Sequence, residues 1–251
     1  MERQDFLFEV CANSVESCIQ AQLGGADRVE LCAGLSEGGT TPSYATIKEA
    51  REVLDIKLHV IIRPRGGDFH YSPRELKMME NDIRMAEQLG ADGVVIGCLN
   101  TDGSIDMNAT ERLCEKAGNM SVTFHRAFDC CRNPEEALEQ LVGLKIDRIL
   151  TSGAEANASI GTDLLCRLHK QAAGRIHLLA GCGVNETNIA DIYHQTGIHE
   201  YHFSARDKYP SSMTFVNRRV FMGSPGVDEY TIETTSAEKV MRTINALIKS
   251  E

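Results

Sequence analysis

The chain has 251 residues, 42% of them hydrophobic, and a formal charge of −10 at neutral pH. That size suits one large α/β domain spanning 1–251, and the acidity argues against a polyanion-binding surface, because nucleic-acid affinity depends on clustered Lys and Arg neutralising phosphates. No apolar run approaches the ~20 residues of a membrane-spanning helix, and the first residues lack the apolar core of a signal peptide, so a soluble, cytoplasmic protein without nucleic-acid or membrane partners is expected.

In chain order, strand-like runs rich in Val, Ile, Leu and aromatics fall at about 6–12, 28–33, 57–63, 93–98, 121–127, 147–152, 176–181 and 200–204. Each is followed by a helix signal. Ser72-Pro73-Arg74-Glu75 is a capping box with proline at the first helical position, Asn133-Pro134-Glu135-Glu136 has the same chemistry, and Thr235-Ser236-Ala237-Glu238 reads as another box before the last helix. Helix bodies such as 80–89 and 135–144 repeat apolar residues at three and four spacing, so one face packs on the sheet. The unit also echoes itself: Leu23-Gly24-Gly25-Ala26-Asp27-Arg28-Val29-Glu30 returns as Leu89-Gly90-Ala91-Asp92-Gly93-Val94-Val95. Strict alternation means parallel strands, and eight units predict closure into a (β/α)8 TIM barrel over an open doubly wound sheet. Residues 207–234 break the rhythm with Met213, Phe215, Val216, Val220, Phe221 and Met222. A connection that apolar either folds over the barrel rim or forms the interface of a homo-oligomer.

Alternation along a strand puts Glu9 and Cys11 on one face and Phe8, Val10 and Ala12 on the other. The apolar set must meet the helices, so Glu9 and Cys11 point into the barrel. By the same parity Glu30 and Cys32 face inward, as do His59, Ile61 and Arg63 of the third run. Two carboxylates inside a barrel wall need partners, and Arg63, Arg65 and His125 are the expected ones. Such a cluster either braces the upper layer or forms a site, since barrel active sites gather at the carboxyl ends of the strands. Glu9, Glu30, Arg63, His125 and Asp129 are therefore the candidate catalytic cluster, with His125 and Asp129 as an acid–base pair.

Cys11 and Cys32 each lie two residues past an inward glutamate on neighbouring strands, where two thiols either pack or share a soft ion such as Cu(I), with Cys182 and His202 as further ligands. The cysteines, nine in all and without a CxxC pair, predict reduced thiols and no disulfide framework. Gly181-Cys182-Gly183 sits between strand and helix where backbone amides can hold an anion, and Ser204 and Arg206 would complete that site. Arg65, Arg126, Thr151, Ser152 and His202 complete the candidate ligand contacts. A small-molecule or metal ligand is expected, and P-loop, zincin and dinucleotide motifs are absent.

Phe8-Glu9-Val10-Cys11, Val29-Glu30-Leu31-Cys32, Ile62-Arg63-Pro64-Arg65-Gly66-Gly67, Phe124-His125-Arg126-Ala127-Phe128-Asp129, Thr151-Ser152-Gly153 and Gly181-Cys182-Gly183-Val184 occur in this order. Together they resemble the CutC family over nearly the whole chain. The resemblance implies a cytoplasmic, oligomeric TIM-barrel protein associated with copper homeostasis, with Cys11 and Cys32 at the positions tied to Cu(I). A TIM-barrel enzyme acting on a small anionic, phosphorylated or carboxylated metabolite at the barrel mouth is the alternative.

Overall fold

Eight parallel strands close on themselves in the computed structural model, which describes residues 1–220 and 228–250. The strands are β1 (Leu7–Ala12), β2 (Arg28–Leu31), β3 (Lys57–Ile61), β4 (Gly93–Ile96), β5 (Ser121–Phe124), β6 (Arg148–Thr151), β7 (His177–Ala180) and β8 (Glu200–Phe203). Between and after them run α1 (Val15–Leu23), α2 (Tyr44–Val53), α3 (Pro73–Gln88), α4 (Met107–Ala117), α5 (Pro134–Gly143), α6 (Thr162–Ala172), α7 (Ile189–Thr196) and α8 (Ala237–Ile248). This is the TIM barrel the repeat predicts.

Two apolar layers form around the strands for the reason alternation gives. Phe8, Val10, Val29, Leu31, Val60 and Ile62 point outward and are buried under the helices. The helices return the matching faces, as in α3, which buries Met79, Ile83 and Ala86. Each fully buried aliphatic side chain of this kind contributes about 1.5–3 kcal/mol. Inside the barrel the apolar content shrinks to a small cluster of Cys32, Ile61 and Val95 with Cys11 and Leu35 against it. Apart from Leu150 and Leu179, much of the rest of the interior is polar, where such barrels ordinarily hold branched aliphatic layers.

Helix starts follow the capping chemistry. Ser72 accepts from the Glu75 amide while the Glu75 carboxylate accepts from the Ser72 amide, and Asn133 caps α5 through the Glu136 amide. The last helix departs from expectation by one residue. Ser236 is its cap, accepting from the Lys239 amide, because Thr235 is occupied as the end of a strand and donates to the Ser204 carbonyl.

The irregular segment contains an antiparallel ribbon of β9 (Arg206–Pro210) and β10 (Thr231–Thr235). Its base is tied to the barrel where the Thr235 amide meets Ser17 Oγ. Beyond the base, Met213, Phe215, Val216 and Val220 are exposed. Phe221 and Met222 lie outside the described residues. Among the described residues no helix is long and apolar enough to cross a membrane.

Candidate functional site

Barrel closure creates the site. In the ladder between β1 and β8, Glu9 stands opposite His202, and in the ladder between β1 and β2, Cys11 stands opposite Glu30. An open sheet would leave β8 far from β1, so this juxtaposition depends on the last strand returning to the first.

Glu9 is 1% exposed, and both of its oxygens are engaged. One bonds the Arg28 guanidinium and the other lies 2.7 Å from His202 Nδ1. Burial by itself would raise its pKa, but the charge of Arg28 and the hydrogen bond and charge of His202 prevail and hold it well below the carboxylate range. Glu30 lacks an arginine. Burial pushes it up to about 7, helped by the charge of Glu9 and opposed by His202, whose Nε2 lies 3.7 Å away. Burial opposes charge on His202, yet its bonds to Cys11 and Glu9 and the two carboxylate charges raise it well above the usual imidazole value. The Cys11 and Cys32 sulfurs are 3.6 Å apart, and the contact with Cys32, with burial, keeps the Cys11 thiol protonated far above its ordinary range.

These groups form a donor set. Cys11 Sγ, a Glu30 oxygen and a His202 ring nitrogen lie within 4.8 Å of one another, with Cys32 Sγ beside Cys11. His202 offers Nε2 to that centre while Glu9 fixes Nδ1, the carboxylate–imidazole arrangement that orients metal-binding histidines. Gly181 permits the approach: a Cβ there would lie 2.5 Å from Leu150 Cδ1 and 3.2 Å from His202 Cβ. Cys182 does not join, because its sulfur turns to the Ala156 carbonyl.

Above the donor set opens a cavity of about 280 Å³ whose wall includes Cys11, Glu30, Arg63, Phe69, His125 and His202. Several expected pairings do not form there. Arg63 is buried but pairs with neither glutamate. β3 ends at Ile61, two residues before Arg63, and the guanidinium bonds the carbonyls of Glu37, Gly39 and Gly67. Arg65 turns to the outside of the mouth, against Glu75 and Asp68. His125 and Asp129 are not an acid–base pair: β5 stops at Phe124, and the following 3-10 turn carries Asp129 to Arg126, Thr151 and Ser152. Thr151 Oγ1 donates to Asp129 at 2.5 Å, so Thr151, Ser152 and Arg126 brace that carboxylate.

The glycine turn is divided too. Gly183, Ser204 and Arg206 line a rim cleft of about 370 Å³ that shares no lining residue with the mouth cavity, and Gly181 is absent from it. Arg206 is held by Glu233 at 3.0 Å.

Arg28 is the group the sequence reading missed. It is 2% exposed and joins Glu9 to Glu200, which in turn meets Arg148 at 3.2 Å. The signal was available, because the parity that turns Glu30 inward turns Arg28 inward as well. Arg28 and Arg148 also border a larger cleft of about 630 Å³ at the opposite mouth, where Lys57 meets Asp92 at 2.7 Å. With Arg28 and Arg148 held by Glu200 and Lys57 by Asp92, that end reads as structural.

The profile of the CutC family matches residues 6–207. This chain belongs to the CutC family. It is 59% identical over 244 residues to the family protein CutC of Bacteroides thetaiotaomicron, covering 96% of this chain and 98% of that one. The human copper homeostasis protein cutC homolog is 47% identical over 246 residues, covering 98% and 90%. Among solved structures, a CutC protein from Streptococcus agalactiae superposes with a TM-score of 0.76 at 36% identity, over 79% of this chain and 98% of that one. Phosphoribosylanthranilate isomerase from Pyrococcus furiosus, with a TM-score of 0.58 at 12% identity, covering 98% of this chain and 100% of that one, shares the barrel alone. The CutC resemblance and the barrel read from the sequence are thus borne out.

Proposed function

We propose that this CutC protein binds Cu(I) as cargo at the barrel mouth, through Cys11, Cys32 and His202. The observation that carries the reading is the pair of sulfurs 3.6 Å apart beside a histidine whose other nitrogen is held by Glu9. Thiolates and imidazole are ligands that suit a soft monovalent ion. At metal–sulfur bonds of about 2.3 Å, that sulfur separation subtends about 100° at the ion, which leaves room for a third ligand and does not suit a linear two-sulfur site. Loading displaces the thiol protons and the proton on His202 Nε2, and Glu30, 3.7 Å from that nitrogen, is placed to receive the latter. Two reduced thiols in the site fit a reducing compartment, so the cytoplasm is the proposed location.

Anaerobic titration with Cu(I) against a chromophoric competitor tests this. One ion per chain should bind, and Cys11→Ser and Cys32→Ser should each remove it. Unchanged binding in both variants, or preference for Zn(II), would sink the proposal. The name of the human relative supports the choice of copper. Self-association through the exposed ribbon, where Phe215 is 74% and Met213 61% exposed, belongs to the same reading. Light scattering should show a lower mass for Met213→Asp/Phe215→Asp, and an unchanged mass removes the claim.

A further inference from the structure

We infer that the cavity above the thiols is a binding site for a small carboxylate, which accepts a hydrogen bond from His125 Nε2 and faces the unpaired charge of Arg63. The inference does not rest on copper binding. It starts from two groups that the protein itself leaves incomplete.

The first is His125, 4% exposed. Its Nδ1 accepts the Ala127 amide at 3.1 Å, which places the proton of the neutral ring on Nε2. That Nε2–H has no acceptor among the described residues. The Nδ1 and Cε1 atoms lie against Gly97, where an added Cβ would sit 2.4 Å from both, and the residue lines the cavity. Burial, with the charge of Arg63, lowers the ring's pKa to about 3, so it remains a neutral donor at physiological pH.

The second is Arg63, also 4% exposed. Three backbone carbonyls receive its terminal N–H groups, but carbonyls bring no net negative charge. Among the described residues no carboxylate pairs with it, whereas the other arginines of the barrel interior, Arg28 and Arg148, both meet Glu200. A buried cation without a counter-ion and a buried donor without an acceptor are each costly, and one anion with oxygen acceptors relieves both.

The walls define the rest of the ligand. Ile61, Phe69 and Leu150 give the cavity an apolar side, and about 280 Å³ is at the small end of metabolite pockets. Phe69 stacks under Arg63 at 5.1 Å and meets the His125 ring at 5.1 Å, so it lies beside both polar contacts. A monocarboxylate with a short apolar body fits this better than a phosphate, whose oxygens would need more donors than His125 supplies. Glu30, on the same wall, faces His202.

Calorimetric titration of the full chain with butyrate and pyruvate, and with inorganic phosphate as the contrasting anion, tests the site. A carboxylate should bind, and His125→Phe, which keeps a ring in place, should weaken it at least about tenfold. Arg63→Met should weaken it similarly in protein whose circular dichroism matches wild type. The Cys32→Ser variant, which cannot carry Cu(I) through both sulfurs and whose residue does not line the cavity, should bind the carboxylate within about twofold of wild type, so failure of the copper reading leaves this one standing. No binding of either carboxylate, preference for phosphate, or wild-type affinity in His125→Phe would overturn it.

Discussion

Arg28→Met removes the one cation that joins Glu9 to Glu200 inside the barrel while keeping an unbranched side chain of similar length. Breaking a buried ion pair by deleting one partner costs about 3–5 kcal/mol. Here His202 still bonds Glu9 and Arg148 still bonds Glu200, so the lower end, about 3 kcal/mol, is expected. In a chain of this length each kcal/mol is worth about 2–4 °C, giving a fall in Tm of about 6–12 °C. Urea denaturation should show the same loss as a lower midpoint with an unchanged slope. Adding Glu9→Gln removes the stranded charge, so the double variant should recover about 1–3 kcal/mol relative to the sum of the single changes. A single variant within about 0.5 kcal/mol of wild type, or strict additivity, would refute the view that this pair carries the polar interior.

Glu30 gives a pH dependence of determined sign. Its folded pKa of about 7 lies above the unfolded value of 4.5, so the folded state holds the proton more tightly, and its contribution to stability is lost as pH rises from about 4.5 through 7. Wild type should therefore lose stability relative to Glu30→Gln over that interval in chemical denaturation, and a constant difference would contradict the assignment. Cu(I) affinity should run the other way: the raised Cys11 thiol must lose its proton, so competition titrations should tighten by at least about tenfold per pH unit between pH 6 and 8, and a flat profile would show that no thiol proton is displaced.

Much of this molecule was legible in order along the chain, because alternation is a local property. Phe8, Val10 and Leu31 outward with Glu9, Cys11 and Glu30 inward needed only the two-residue period, and Ser72 and Asn133 announced their helices. Partner choice was not local. Glu9 meets His202, 193 residues away, only because β8 closes on β1, and parity along one strand says nothing about which neighbour stands opposite. Parity also fails where strands end. Arg63 and His125 both lie beyond the last paired residue, so their surroundings come from loops, and the pairing of Asp129 with Thr151 and Ser152 follows a 3-10 turn that the HRAFD run gave no sign of. Arg28 was overlooked although its parity was plain, since a basic residue at the start of a strand reads as solvent-facing until the barrel is closed around it.

X-ray absorption at the copper edge of the anaerobically Cu(I)-loaded protein tests the central claim most directly. Two sulfur scatterers and one imidazole nitrogen are expected, with both sulfurs lost in Cys11→Ser/Cys32→Ser. A spectrum dominated by oxygen or nitrogen, or one unaffected by replacing the two cysteines, would contradict it.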